Sequence, residues 1–414
     1  MDAFIVGDEF AGAPGADLGD EIRIGQGGAP HGGDVEFAAF ENERSRLSAI
    51  WRRHPGIRTG VGSVSTKVQN DRTEGSAMRA YRFRGSAGLD GLELHDEPVP
   101  SPQRGELLLR VTAVSLNYRD VAIPLGRYVR DSKPGLIPCS DAAAEVVAVG
   151  PGVTDYRPGD RVVSAFHSRW FGGPLPATAN SDSYGSGQDG WLTEYKVVSR
   201  EAVLPIPQEM PDEHAATLPC AGVTAWNALN GPTPVRAGQT VLTLGTGGVS
   251  IFALQLAKIL GGRVVATTSS AEKAARLREL GADDVVNYRS HPEWGTQVRE
   301  LTGGRGVDRV IEVGGPATIN QSLRAIATGG EVTLIGFLSE DNPGIDYFAL
   351  RGAGAITRSI TVGDRTQLHE LIRAAAVTGL TPVIDDVIEF ADAKTAFERL
   401  RDGKHIGKLV IRVG

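Results

Sequence analysis

Cysteine is nearly absent from this 414-residue chain, which has only Cys139 and Cys220. That scarcity excludes a disulfide framework and any four-cysteine zinc lobe, and it suits a reducing cytoplasm. Blocks of like charge are also missing. The 43 basic and 50 acidic residues leave a net charge of -7, spread so that nothing favours nucleic acid or an anionic membrane as partner. No stretch approaches the roughly 18 apolar residues that a membrane helix needs. The start lacks a basic region before its short apolar run Phe4-Ile5-Val6, so no signal peptide is expected and the protein is read as soluble. What is present is ordinary globular material, 41% hydrophobic and 22% charged, in a length that suits two domains plus an addition.

Residues 1–77 are that addition. They are rich in Gly, Asp, Arg and Ser, with one helix-like patch from Glu41 to Trp51, and carry no sustained apolar stripe. The expectation is a disordered extension, or an upstream stretch from a start codon placed too early; a lid or partner-binding arm is the other reading. Met78 opens the first strand, Met78 to Phe83. From there to about Arg200 short β-rich runs alternate with Gly and Pro. Glu106 to Val111 and Ala144 to Val149 read as strands, and Pro158-Gly159-Asp160 as a turn feeding another. After Cys220 the rhythm becomes strand–helix–strand. Predicted strands are Gln239–Gly245, Arg263–Thr268, Asp284–Tyr288, Val307–Val313 and Glu331–Phe337; predicted helices are Val249–Leu260, Ala271–Leu280 and Thr318–Ala327. Such alternation implies an α/β fold with a doubly wound parallel sheet. A helix at Gln367–Thr378 and a strand at Gly407–Ile411 close the chain.

The run Leu244-Gly245-Thr246-Gly247-Gly248-Val249-Ser250 leads from an apolar strand through a glycine turn into a helix. Gly245 permits the tight turn, Gly247 lets backbone approach a pyrophosphate, and the helix start offers free N–H groups. Ser250 replaces the usual third glycine. Embedded in successive βα units, the run points to a dinucleotide site. NAD sites place an acid at the end of the second strand, about 20 residues on. Here that strand ends Thr267-Thr268-Ser269-Ser270, followed by Lys273. A carboxylate repels a 2′-phosphate, whereas hydroxyls and an ammonium accept one, so NADP(H) is expected, with Tyr288 and Arg289 completing the pocket. Alone, Lys273 also fits a solvated helix lysine.

Several stretches together resemble the medium-chain dehydrogenase/reductase superfamily. They are Ser115-Leu116-Asn117-Tyr118-Arg119-Asp120, Gly159-Asp160-Arg161-Val162, Ala215 to Trp226, the glycine turn, and Leu280-Gly281-Ala282-Asp283. The likeness covers residues 78 to 414. It implies a β-rich GroES-like catalytic domain at 78–221 and 363–414 and a Rossmann dinucleotide-binding domain at 222–362. Zinc alcohol dehydrogenases of this superfamily have a cysteine ligand where this chain has Asn117, and a histidine ligand where it has Ser140. Only Cys220 matches a ligand position, and one thiolate makes no tetrahedral site. The remaining likeness is to the zinc-free quinone oxidoreductase and enone reductase branch. By that resemblance Asn117 lies near the nicotinamide and donates to the substrate oxygen, and Tyr128 corresponds to a proton-donating tyrosine. Thr224 packs on the nicotinamide, the segments Val313-Gly314 and Ile335-Gly336-Phe337 meet its carboxamide, and Lys408 reaches back to the cofactor. Tyr128 also fits a loop aromatic, Lys408 a strand-end charge, and Arg119 with Asp120 a structural ion pair. His167, Arg169 and Trp170 fall in the loop that replaces a zinc lobe and are candidates for the substrate pocket. Residues Ala355 to Val362 form a candidate strand for pairing across a homodimer. The implied activity is NADPH-dependent, metal-free hydride transfer to a quinone or α,β-unsaturated carbonyl. The alternatives are a metal-independent alcohol dehydrogenase and a non-catalytic NADP(H)-binding protein.

Overall fold

In a computed structural model of the chain the described residues are 77–85, 88–128, 132–179, 181–338 and 343–414. The expectations for residues 1–76 lie outside them. Strands β1 (Ala77–Phe83) and β2 (Leu92–Pro98) pair antiparallel. There follow β3 (Glu106–Ser115), the short helix α1 (Tyr118–Ala122), β4 (Asp141–Val149), β5 (Arg161–Ser164), β6 (Tyr195–Ser199) and β7 (Val203–Pro205). Side chains two apart on β3, Leu107, Leu109 and Val111, enter one buried cluster with Trp191 and Phe397. That is the period-two signature of a strand with one face on a core.

Helix α2 (Asp212–Ala215), a single π turn (Leu218–Gly222) and α3 (Val223–Asn230) lead into the second lobe. There β8 (Thr240–Leu244), α4 (Gly248–Ile259), β9 (Arg263–Thr268), α5 (Ala271–Glu279), β10 (Asp284–Asn287), α6 (Trp294–Leu301), β11 (Val307–Glu312), α7 (Ile319–Ala325), β12 (Ile326–Leu334), α8 (Tyr347–Ala353) and β13 (Ile356–Ser359) alternate. The six strands lie in the order β10-β9-β8-β11-β12-β13, every pair parallel. This is the doubly wound arrangement, and its order reverses between β8 and β11, where a crevice opens beyond the strand ends. The chain returns through α9 (Arg365–Thr378), β14 (Ile384–Glu389), α10 (Ala393–Asp402) and β15 (Lys408–Arg412). Strands β14 and β15 join β3 to β7 in a sheet separate from β1 and β2, in the order β14-β15-β3-β4-β5-β7 with β6 on β3.

The strand Arg263–Thr268 has the boundaries its sequence implies. The segment after α7 does not. The helix stops at Ala325, and β12 begins at Ile326, which pairs with Val307. Gly306 explains the early start. A β-carbon there would lie 2.7 Å from the Ala327 nitrogen, so only glycine admits so close a backbone. A shared apolar core joins the two lobes, because Ala113, Val163 and Val410 of the antiparallel sheet lie in one buried cluster with Val241, Ile251 and Leu371. No helix among the described residues is long and apolar enough to cross a membrane.

Candidate functional site

A cavity of about 680 Å³ lies between the lobes at the switch point of the parallel sheet. The glycine turn forms its centre. Gly245 has φ +75°, a left-handed conformation that glycine adopts without strain. A β-carbon on Gly247 would meet no atom within 4 Å, so that backbone faces the open cavity. Gly247 N-caps α4, whose first-turn N–H groups have no partner inside the helix. Thr246, Gly248 and Val249 also line the cavity. Ser250 turns its hydroxyl back to the Leu244 carbonyl at 2.6 Å, holding α4 close to β8 as a third glycine would. Gly248 is small for another reason. Its β-carbon would lie 2.6 Å from Lys408 Cδ and 3.2 Å from Ala221 Cβ.

One end of the cavity is lined by Thr268, Ser269, Lys273 and Tyr288. Thr268 is buried, and its hydroxyl has no partner among the described residues. Ser270 is occupied elsewhere, accepting the Lys273 N–H at 3.2 Å as the N-cap of α5. The Lys273 ammonium donates to the Gly403 carbonyl at 3.3 Å, and burial pulls its pKa down. The end of α10, with Arg401, and the loop after it, with Gly403, His405 and Gly407, close this end. No local pattern marks that loop's part, which depends on β15 returning to β3. Gly407 donates its N–H to the Thr246 carbonyl at 2.9 Å and so ties the lobes together at the glycine turn.

The other end is a buried polar cluster. Asn117 follows β3 and N-caps α1, its own N–H held by Asp120 Oδ2 at 2.7 Å. Its amide Nδ2 donates to Ser140 Oγ at 3.4 Å, and the Ser140 hydroxyl donates to Asp141 Oδ1 at 2.6 Å. Asp141 Oδ2 accepts the Cys220 N–H at 3.0 Å. The Lys408 ammonium donates to Asn117 Oδ1 at 2.6 Å and to the Leu116 carbonyl. Burial raises the carboxyl pKa of Asp120 to about 6, against the pull of the Arg119 charge. Burial also raises Asp141, with Lys408 as the chief opposing influence, and pushes both the Cys220 and Cys139 thiols up.

Aromatic side chains flank this cluster. Tyr128 and Phe337 line the cavity with ring centroids 5.8 Å apart, and Tyr118 meets Phe337 edge-on at 6.1 Å. Arg119 does not form the expected ion pair with Asp120, since adjacent residues of a helix face different ways. Its guanidinium lies 4.6 Å from the Phe166 ring centre and 5.2 Å from that of Tyr128, and donates to the Tyr184 carbonyl at 2.8 Å. His167 and Trp170 are not among the lining residues. The loop folds on itself instead: His167 Nδ1 lies 2.9 Å from the Ala179 carbonyl and Trp170 Nε1 donates to Gly173. Phe166 takes the place expected of them. Gly314 is likewise off the cavity wall, its N–H held by the buried Glu312 at 2.8 Å, while Val313 and Gly336 do line it. Thr224 lines the cavity beside Val362, a β-branched residue at φ +52° whose carbonyl accepts from Asn227 at 2.7 Å. Strain of that kind collects at functional sites.

Residues 103–208 match the alcohol dehydrogenase GroES-like domain, and residues 248–377 the zinc-binding dehydrogenase family. A zinc-type alcohol dehydrogenase-like protein of Schizosaccharomyces pombe is 36% identical over 79% of this chain and 96% of its own length. A chloroplastic quinone oxidoreductase of Triphysaria versicolor is 30% identical over 81% of this chain and 99% of its own. A mycobacterial protein solved in complex with NADPH superposes with a TM-score of 0.68 at 30% identity, covering 81% of this chain and all of that one (100%). With both domain families matched in order around an interlobe cavity, the chain belongs to the medium-chain dehydrogenase/reductase superfamily, in its quinone-oxidoreductase-like branch.

Proposed function

We propose that this oxidoreductase is NADPH-dependent and zinc-independent, and that its acceptor is a quinone or an α,β-unsaturated carbonyl. The observation that carries the reading is the polar cluster at Asn117, Ser140 and Cys220. An amide and a hydroxyl beside a single thiol do not fit a zinc ion, which takes thiolate, imidazole or carboxylate ligands. No group of three or more His, Cys, Asp or Glu side chains among the described residues is arranged to hold a metal. The dinucleotide fits the other end. Gly247 presents bare backbone to the cavity, and the orphaned Thr268 hydroxyl awaits a partner beside Ser269, Lys273 and Tyr288. These groups suit a 2′-phosphate, and no acid is among the described residues that line this end. The NADPH complex of a relative agrees with this assignment.

Bound NADPH supplies the hydride. The protein's own part is to bind, orient and stabilise charge. A conjugated acceptor spreads the charge of reduction onto its oxygen, so no Lewis acid is needed. Asn117 Nδ2 donates to that oxygen, and Tyr128, held against Arg119 and Phe337, donates a hydrogen bond or a proton there. Thr224, Gly336 and Phe337 shape the wall for the nicotinamide. We also assign the protein to the cytoplasm and propose a homodimer. Strand β13 lies at the sheet edge with Ile356 exposed, near the exposed Tyr347 and Phe348, and light scattering on purified protein tests the pairing.

NADPH consumption with an enone and with the matching saturated ketone decides the acceptor. Turnover of the enone alone supports the reading. Turnover of the ketone alone would overturn it in favour of a ketone reductase or alcohol dehydrogenase. Binding of NADPH with no turnover of any acceptor marks a non-catalytic protein.

A further inference from the structure

Lys408 is 3% exposed, yet its ammonium has no carboxylate as hydrogen-bond partner. Burying a charge in this way is costly unless something in the site makes use of it. Its two recorded acceptors are the Leu116 carbonyl and Asn117 Oδ1, both neutral. The nearby Asp141 carboxylate connects to the ammonium through the Ser140 hydroxyl and the Asn117 amide rather than by a direct hydrogen bond. The cluster is therefore a chain from ammonium to amide to hydroxyl to carboxylate, with the Asn117 amide in the middle. Gly248 belongs to the same design, because any β-carbon there would strike the Lys408 stem.

We infer that Lys408 is a positioning residue for the reaction. By donating to Oδ1 it fixes the orientation of the Asn117 amide and strengthens Nδ2–H as a donor to the oxygen on which charge develops. An amide has two faces, an acceptor oxygen and a donor nitrogen. Only one orientation places N–H groups toward both Ser140 and a bound acceptor, and a cation at Oδ1 enforces it. A charge-assisted hydrogen bond to the carbonyl side of an amide also polarises the N–H side. Lys408 thus brings positive charge to the reacting oxygen through Asn117, its stem packing over Gly248 at the start of α4. This rests on the proposed role of Asn117 as the donor to that oxygen.

The test is a double-mutant cycle of Lys408→Met and Asn117→Ala in the full chain, with turnover of the best acceptor and NADPH affinity by fluorescence titration both measured. Lys408→Met should lower kcat by about tenfold to a hundredfold, as losses of supporting partners do, and leave NADPH affinity within about twofold. In the Asn117→Ala background it should cost nothing further, because the two act as one unit. Lys408→Arg, which keeps the cation and tolerates the buried site better, should retain most of the rate; it also carries the test if the Met variant fails to fold. A loss of NADPH affinity with kcat unchanged would place the lysine on the cofactor and overturn the inference. Additive losses in the cycle, or an unaltered kcat in a folded Lys408→Met protein, would overturn it too. The reading on which it rests fails separately, if Asn117→Ala itself turns over at the native rate.

Discussion

The two ends of the cavity are built by different means. The dinucleotide end is mostly backbone from one continuous run, Gly245 to Ser250, plus the close of the next strand at Thr268 and Ser269. The reaction end is mostly side chains, drawn from the end of β3, the start of β4, the π turn and β15, and its central contact joins residues 291 apart in sequence. Backbone shape constrains a ligand by steric fit, so it depends on glycine and on little else. A side-chain cluster constrains charge, so it depends on every member being in place. The two ends meet at Gly248, where the helix start and the Lys408 stem share one small space.

Substitutions at the two ends should therefore fail differently. Gly247→Val places a branched side chain where the backbone faces the cavity, with nothing else to strike. It should fold normally and weaken NADPH by about a thousandfold, near 4 kcal/mol, in a fluorescence titration. Asn117→Ala should do the reverse, lowering kcat/KM by about a hundredfold to a thousandfold, as loss of one oxyanion donor does, with NADPH affinity unchanged. If both variants lose cofactor and rate together, the two ends are not separable.

Asp120 sharpens the contrast through pH. Its pKa in the folded protein is about 6, above the ordinary 3.8, so the native state binds this proton more tightly than the unfolded chain does. Its contribution to stability is present at low pH and is lost as pH rises through that interval, by on the order of 2–3 kcal/mol. Asp120→Asn should remove that slope: denaturation at pH 4 and pH 7 should show the native protein losing ground to the variant on the alkaline side. The smallest effect is expected at Lys273. Lys273→Ala should narrow the preference for NADPH over NADH by about tenfold, near 1.4 kcal/mol, measured as a ratio of dissociation constants.

What the sequence made legible follows the same division. The glycine turn and the alternating strands are local patterns, and they reappear in the order expected, with β12 starting earlier than its sequence implies. The parts that escaped are set by chain return. The Gly403 to Gly407 loop reaches the cavity because β15 pairs with β3. His167 and Trp170 were placed in the pocket by position in a loop, but hydrogen bonds within that loop turn them away and leave Phe166 in contact. Arg119 was read with its sequence neighbour Asp120, whereas its partners are rings contributed by other segments. Lys408 lines the cavity beside the glycine turn, and its hydrogen bond to Asn117, 291 residues away, is a contact that no local pattern shows.

The central claim is that side chains at the reaction end do the work that zinc does in related alcohol dehydrogenases. Enone reduction by NADPH, measured alongside the zinc content of the purified protein before and after dialysis against a chelator, tests it most directly. The rate should persist unchanged at well below one zinc per chain. A rate that falls with the metal and returns when zinc is restored would contradict it.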